Sequence, residues 1–320
     1  MSFHKSQADA TSGDSPLASP YSNSNRTETI FIRIENKATA CVNDDAQFDI
    51  IVNSFPEFSI TSPQILCLNA IPLNVAIDRA DGTYSYQWKD ANGAIISNTD
   101  NANISLSGTY TIMATTTDGT SCTRTQNMVI NESNPATLRE DFVTIIDESN
   151  DIGNTNNLSV SIDIISNDLG PGDYQYALKN DDTSTRIPFN GFQNEPFFEN
   201  LEGGIYTLIV NDKNGCSPDS TLQISVIQFP KFFTPNGDGF NDTWEVKGAN
   251  KTFYPNSSIQ IFNRFGKLVA QVPIDSQGWD GNYAGKRLAS DDYWYAVQLI
   301  PADTSKAPIL KKGHFSLLRK

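Results

Sequence analysis

Six stretches of this chain alternate apolar and polar side chains with a period of two. They are Phe31–Glu35, Gln47–Val52, Tyr84–Trp88, Tyr110–Met113, Tyr206–Val210 and Leu222–Val226. That period turns one face of an extended segment to a core and the other to water, and β-branched and aromatic residues fit the pleated surface. Asp81-Gly82, Asn92-Gly93, Asp118-Gly119 and Asn214-Gly215 stand in the gaps, and such pairs reverse the chain between strands. No 12-residue window carries a helical apolar stripe. The expected fold is therefore all-β, a row of small sandwiches.

Counting exposes an internal repeat. An aromatic residue opens a strand, a cysteine follows, a second strand comes next and a proline closes the unit. The copies run Phe31, Cys41, Pro56; Tyr110, Cys122, Pro135; and Tyr206, Cys216, Pro230. The aromatic-to-cysteine spacings are 10, 12 and 10 residues, and the proline-to-proline spacings are 79 and 95. Units of that length suit seven-stranded sandwiches of immunoglobulin-like type. The first copy holds only its last hairpin, so residues 30–55 read as the remnant of a truncated repeat, poorly ordered or docked on its neighbour. Residues 1–29 are rich in Ser, Asn, Asp, Thr and Pro without periodicity and read as a disordered arm. On this reading the chain is the C-terminal part of a longer protein. The remaining boundaries fall at 56–133, 134–229 and 230–320.

Charge supports the last boundary. Residues 1–229 carry 11 Lys and Arg against 29 Asp and Glu, net −18, whereas residues 230–320 carry 12 against 8, net +4. An overall charge of −14 disfavours nucleic acid as a partner. No apolar run approaches the 18 residues or so of a membrane-spanning helix. The two histidines, His4 and His314, stand at opposite ends, which nearly excludes a His-rich zinc site or a His-based catalytic triad.

Of the four cysteines, Cys67 and Cys122 lie in one repeat with Trp88 between them. The order Cys, Trp, Cys is that of immunoglobulin-type inter-sheet packing, so a Cys67–Cys122 disulfide is expected, two buried free thiols being the alternative. An oxidising, extracellular setting follows from the bridge. No G-x-S-x-G, Walker loop, H-E-x-x-H or G-x-G-x-x-G occurs, so the chain is read as non-enzymatic.

The segment Phe232–Trp244 concentrates side-chain oxygen at Asn236, Asp238, Asn241 and Asp242, with Gly237 and Gly239 between them. Two readings stay open. One is part of a calcium loop without the closing Glu of an EF-hand; the other is a turn held by Asx hydrogen bonds. Trp244, Trp279 and Trp294 are expected in the core of the same domain, as are Ile259, Ile261, Val269, Tyr293, Tyr295 and Val297 by alternation.

Five ordered blocks now stand in residues 230–320: Phe232–Trp244, Ile259–Val269, Gly278–Gly281 continuing to Gly285–Leu288, Asp292–Val297, and Lys312–Arg319. Together they resemble the gliding-motility-associated, type B C-terminal sorting domain of the type IX secretion system of Bacteroidetes. The upstream repeats resemble the Ig-like or PKD-like modules of large surface adhesins. The resemblance implies a β-sandwich secretion signal, a translocon with an outer-membrane helper of the PorP/SprF type as partners, and delivery to the cell surface or medium. Recognition is expected at Asn236, Gly237, Asp238, Gly239, Asn241 and Asp242 and at Lys311, Lys312, Arg319 and Lys320, whose charge suits an acidic partner; a Lys-guarded strand edge is the other reading of those basic residues. The functional expectation is an adhesin or stalk segment. Its rivals are the accessory tail of a secreted enzyme and a carbohydrate-binding array using Phe192, Phe197 and Phe198, with the surface or glycan ligand unnamed.

Overall fold

The computed structural model describes residues 1–147, 158–165 and 168–319. The chain divides into two compact units, residues 1–66 with 70–131, and residues 67–69 with 132–320. All six predicted stretches lie in strands, apart from Val52, which follows the end of its strand.

The first unit opens with a three-stranded antiparallel sheet, Ser2–His4 beside Thr27–Glu35 beside Val42–Ile51, and a one-turn-and-a-half helix, Gln7–Ser12. This corrects the reading of residues 1–29 as a disordered arm and of residues 30–55 as the remnant of a truncated repeat, since both share one sheet. Order here comes from specific hydrogen bonds, which periodicity does not report. Ser6 caps the helix by accepting the Asp9 N–H at 3.1 Å, and Gly13, at φ 82°, closes it with its N–H on the Asp9 carbonyl. The Arg33 guanidinium donates to the Ala10 and Thr11 carbonyls at 3.0 and 2.6 Å, so the second strand holds the helix end. His4 is fully buried between Ser2 Oγ and the Asp14 carbonyl, each 2.7 Å away.

The sandwich that follows has a five-stranded sheet in the order Gln64–Cys67, Thr123–Ser133, Gly108–Thr116, Tyr84–Lys89, Ile95–Ser97, faced by the pair Leu73–Ala76 and Asn101–Ile104. Leu66, Trp88, Ile112 and Met128 fill its core. The Trp88 indole N–H donates to the Thr99 carbonyl.

The Cys67–Cys122 pairing is also corrected. Cys67 is bonded to Cys216, with Cα atoms 5.4 Å apart, and Cys41 and Cys122 are free. Alternation supplies the reason. Leu66 is the fully buried residue of its strand, so its neighbour Cys67 points away from the core. Cys122 sits in the hairpin loop, its N–H on Thr116 Oγ1.

In the second unit, residues 134–226 form a sandwich. One sheet is Val143–Asp147, Leu158–Ile162, Phe197–Leu201; the other is Arg186–Ile187, Tyr174–Asn180, Gly204–Asp212, Ser220–Val226. Buried Asp212 joins its start and end: its carboxylate accepts from Ser133 Oγ at 2.7 Å and from the N–H of Asp173, Asn214 and Cys216. Leu68 N–H on the Ser133 carbonyl and Asn69 Nδ2 on the Ser217 carbonyl hold the segment after Cys67 against the same end.

The C-terminal domain is a five-stranded sheet in the order Phe232–Phe233, Ile309–Leu317, Asp291–Leu299, Ser258–Phe262, Leu268–Val272, its first pair parallel. Its core is aromatic. The Trp244 and Phe315 rings stack at 4.3 Å, and Trp279 meets Tyr293 edge-on at 5.0 Å. Of the three tryptophans expected inside, Trp294 is outside, 42% exposed, because Tyr293 and Tyr295 take the inward positions.

One device recurs in all three sandwiches. The Tyr110, Tyr206 and Tyr293 hydroxyls donate to the carbonyl four residues upstream, on Leu106, Glu202 and Ala289, at 2.8, 2.8 and 3.1 Å. These are tyrosine corners, and two of them are the aromatic residues that opened the sequence repeat.

Candidate functional site

The loop after Phe233 is built around one carboxylate. Asp242 accepts the backbone N–H of Asn236 at 2.9 Å, Gly237 at 2.7 Å and Gly239 at 2.8 Å. These donors, Gly237 first and then Gly239, hold the Asp242 carboxyl below the usual carboxylate range. Asn236 Oδ1 accepts the Asp238 N–H, Asn236 Nδ2 donates to Asp238 Oδ2, and Asp238 Oδ1 accepts the Phe240 N–H. The side-chain oxygens of Asn236, Asp238 and Asp242 therefore face N–H donors within the loop. That is the Asx-turn arrangement, and both Asp242 oxygens serve it. Asn241 lies exposed at φ 50°, and its carbonyl takes the Thr234 N–H. Among the described residues no group of three or more His, Cys, Asp or Glu could hold a metal ion.

Arg319 touches the same region. Its Nε donates to the Leu288 carbonyl at 3.0 Å, Nη2 to Gly281 at 3.0 Å and to Asp280 at 3.3 Å, and Nη1 reaches the Pro235 carbonyl at 3.5 Å. Its N–H donates to Ser290 Oγ at 2.8 Å. The guanidinium thus ties the chain end to the loop, the Gly278–Gly281 turn and the Leu288 segment. Arg319, expected as a recognition residue, donates its guanidinium N–H groups to these carbonyls. Two glycines let the Gly278–Gly281 turn pack closely, one against Trp244 and one against Arg319. Gly278, at φ 88°, lies where a Cβ would come 2.6 Å from the Trp244 carbonyl, and a Cβ on Gly281 would come 2.7 Å from Arg319 Nη2. The Gly-Trp-Asp-Gly block was the sequence signal for the seat, but its partner Arg319 lies 38 residues beyond Gly281.

Lys311 and Lys312 are exposed on the last strand, opposite Val297 and Ala296, well away from the Arg319 end. Lys320 lies outside the described residues. The sequence-selected residues therefore form two places, the Asn236–Asp242 loop with Arg319 and the Lys311-Lys312 stretch. Of the aromatic residues considered as a sugar platform, Phe198 is core, Phe197 points outward from the same strand, and Phe192 lies under the Arg186 guanidinium at 4.5 Å. Within the second unit a cleft of about 610 Å³ lies between the 134–226 sandwich and the C-terminal domain, with Ile145, Ile224, Phe253 and Ile309 among its apolar walls; Glu140 at its rim pairs with Lys306.

Residues 227–317 match the model of the CHU_C Type IX secretion signal domain, and residues 1–56 match that of the Flavobacterium inter-domain disulphide bond domain. None of the curated proteins matches the chain. Similar solved structures include immunoglobulin domains 1–5 of Sidekick-1, at 11% identity and TM-score 0.31 over 95% of this chain and 69% of that one. They also include a Ca²⁺-stabilized adhesin that helps an Antarctic bacterium reach out and bind ice, at 11% identity and TM-score 0.26 over 96% and 85%. A third is the FN1–FN3 portion of chicken CNTN1, at 14% identity and TM-score 0.24 over 83% and 99%. A type IX secretion signal domain indicates export across the outer membrane to the cell surface or the extracellular space. No described helix is long and apolar enough to cross a membrane.

Proposed function

We propose that this chain is a non-enzymatic cell-surface protein, an adhesive or stalk segment whose C-terminal domain carries it through the type IX machinery. The observation that carries the reading is the family match over residues 227–317, which spans one folded domain with its own aromatic core. Two upstream sandwiches with filled apolar cores support a scaffold role, and scaffolds of this kind present ligands at their end loops. The test is deletion. The chain without residues 227–320, expressed behind a signal peptide in a type IX-competent host, is expected to stay in the periplasm while the full chain reaches the surface. Equal export of both would overturn the reading.

The match over residues 1–56 adds a thiol to this picture. Cys41 is the cysteine of that segment, exposed beside the turn between Thr27–Glu35 and Val42–Ile51. We infer that Cys41 supplies the inter-domain bond for which the matched family is described. Non-reducing peptide mapping of exported protein is expected to find Cys41 in a disulfide; a free Cys41 thiol in that material would contradict it.

A further inference from the structure

The outward face of the C-terminal sheet carries a row of three apolar side chains and a histidine that crosses four strands. Register sets the row: Leu268 lies opposite Phe262, Phe262 opposite Trp294, and Trp294 opposite His314. Val269, Ile261, Tyr293 and Phe315, the sequence neighbours of these four, are buried, so the row itself faces away from the core. Leu268 is 43% exposed, and the Trp294 and His314 rings lie 6.3 Å apart. Lys312 takes the next outward position after His314 on the last strand. Asp292, on the same face, accepts the Ser316 hydroxyl at 2.6 Å.

The other two sandwiches supply an internal comparison. The corresponding outward row of the 56–133 sandwich reads Asn127, Thr111, Lys89, and that of the 134–226 sandwich reads Gln223, Thr207, Lys179. In the adjoining rows, the first sheet has exposed Val129 and half-buried Met113, and the second has half-buried Ile209 with Ile205 and Ala177 buried. A sheet face turned to water is ordinarily polar, and adjoining apolar side chains on such a face, here exposed Leu268 and Trp294 with half-buried Phe262 between them, mark an interaction surface. Trp at the centre of such a patch is the residue type that most often anchors a protein interface. On this face Lys312 is exposed, while Asp292 is held by the Ser316 hydroxyl, in a domain of net +4 against −18 for residues 1–229, so a carboxylate complements the row at Lys312.

We propose that the Leu268–Phe262–Trp294–His314 row, with Lys312 beside it, is the surface through which a component of the secretion machinery reads this domain. The fitting partner is a protein face with an apolar pocket for Trp294 and carboxylates opposite Lys312. This rests on the reading of the domain as an export signal.

The test measures the extracellular fraction of the full chain in a type IX-competent host and in a secretion-deficient strain. Wild-type export that does not depend on the machinery would overturn the export reading itself. Given dependent export, Trp294→Thr and Lys312→Glu are each expected to lower the extracellular fraction about tenfold, with the thermal midpoint of the purified proteins unchanged. Val129→Thr, on an outward position of the 56–133 sandwich, is expected to export as wild type. Should Trp294→Thr fail to fold, Lys312→Glu, which removes no packing from the core, decides alone. Wild-type export of the folded variants would overturn the proposal while leaving the export reading intact.

Discussion

At the scale of single residues, two side chains hold segments that periodicity leaves blank. Arg319 donates to the carbonyls of Leu288, Gly281 and Asp280. Arg319→Ala leaves these acceptors without their donor and is expected to destabilise the C-terminal domain by about 2 kcal/mol. Arg319→Lys should recover little of that, because a point ammonium cannot span three carbonyls. Chemical denaturation of the full chain checks both, and an unchanged midpoint for Arg319→Ala would contradict the seat. Glu28 plays the corresponding part near the other end. The Tyr21 hydroxyl, then Ser24, hold its carboxyl down from 4.5 to about 2. A depressed carboxyl stabilises the fold fully above its unfolded value and loses that contribution as pH falls through the folded one. Order around Tyr21 is therefore expected to persist to pH 4.5 and to fade between there and about 2. An NMR titration of Glu28 with a midpoint at the ordinary value would contradict this. The anchoring role of neither residue is legible in the sequence, for one reason. Their partners are distant carbonyls or turn hydroxyls, and no local pattern announces them.

At the scale of elements, strands were legible because half-burial writes a period of two into the sequence, and hairpins because Gly, Asn and Asp mark reversals. The repeat was legible as well, yet its meaning lay in a hydroxyl. Tyr110 and Tyr206 form tyrosine corners, whereas Phe31, which fills the same slot in the first copy, has no hydroxyl to donate and belongs to a different sheet. Removing the Tyr206 hydroxyl as Tyr206→Phe is expected to cost about 1 kcal/mol, read as a lower denaturation midpoint for the second unit. No loss would mean that the corner is packing alone. The disulfide was misassigned for an element-level reason too. A Cys-Trp-Cys order says nothing about which face of its strand the first cysteine occupies, and Leu66 already held the inward one. The outward Trp294 shows the same limit: Tyr293, Trp294 and Tyr295 are all apolar, and only the paired strands decide which of them faces water.

For the molecule as a whole, the Cys67–Cys216 bond closes a separation of 149 residues. On the chain-entropy estimate a bridge of that span is worth about 5 kcal/mol, so Cys67→Ser with Cys216→Ser should lower the denaturation midpoint of the second unit markedly. An unchanged midpoint would mean that the Asp212 network alone holds that end. Such a staple suits a protein that works outside the cell, where disulfides persist. The central claim is that residues 227–320 are an address for type IX export, and transplantation tests it most directly. A fluorescent protein carrying a signal peptide and these residues at its C-terminus would be expressed in a competent host and in a secretion-deficient one. The account predicts fluorescence at the surface or in the medium of the competent host alone. Periplasmic fluorescence in both hosts would contradict it.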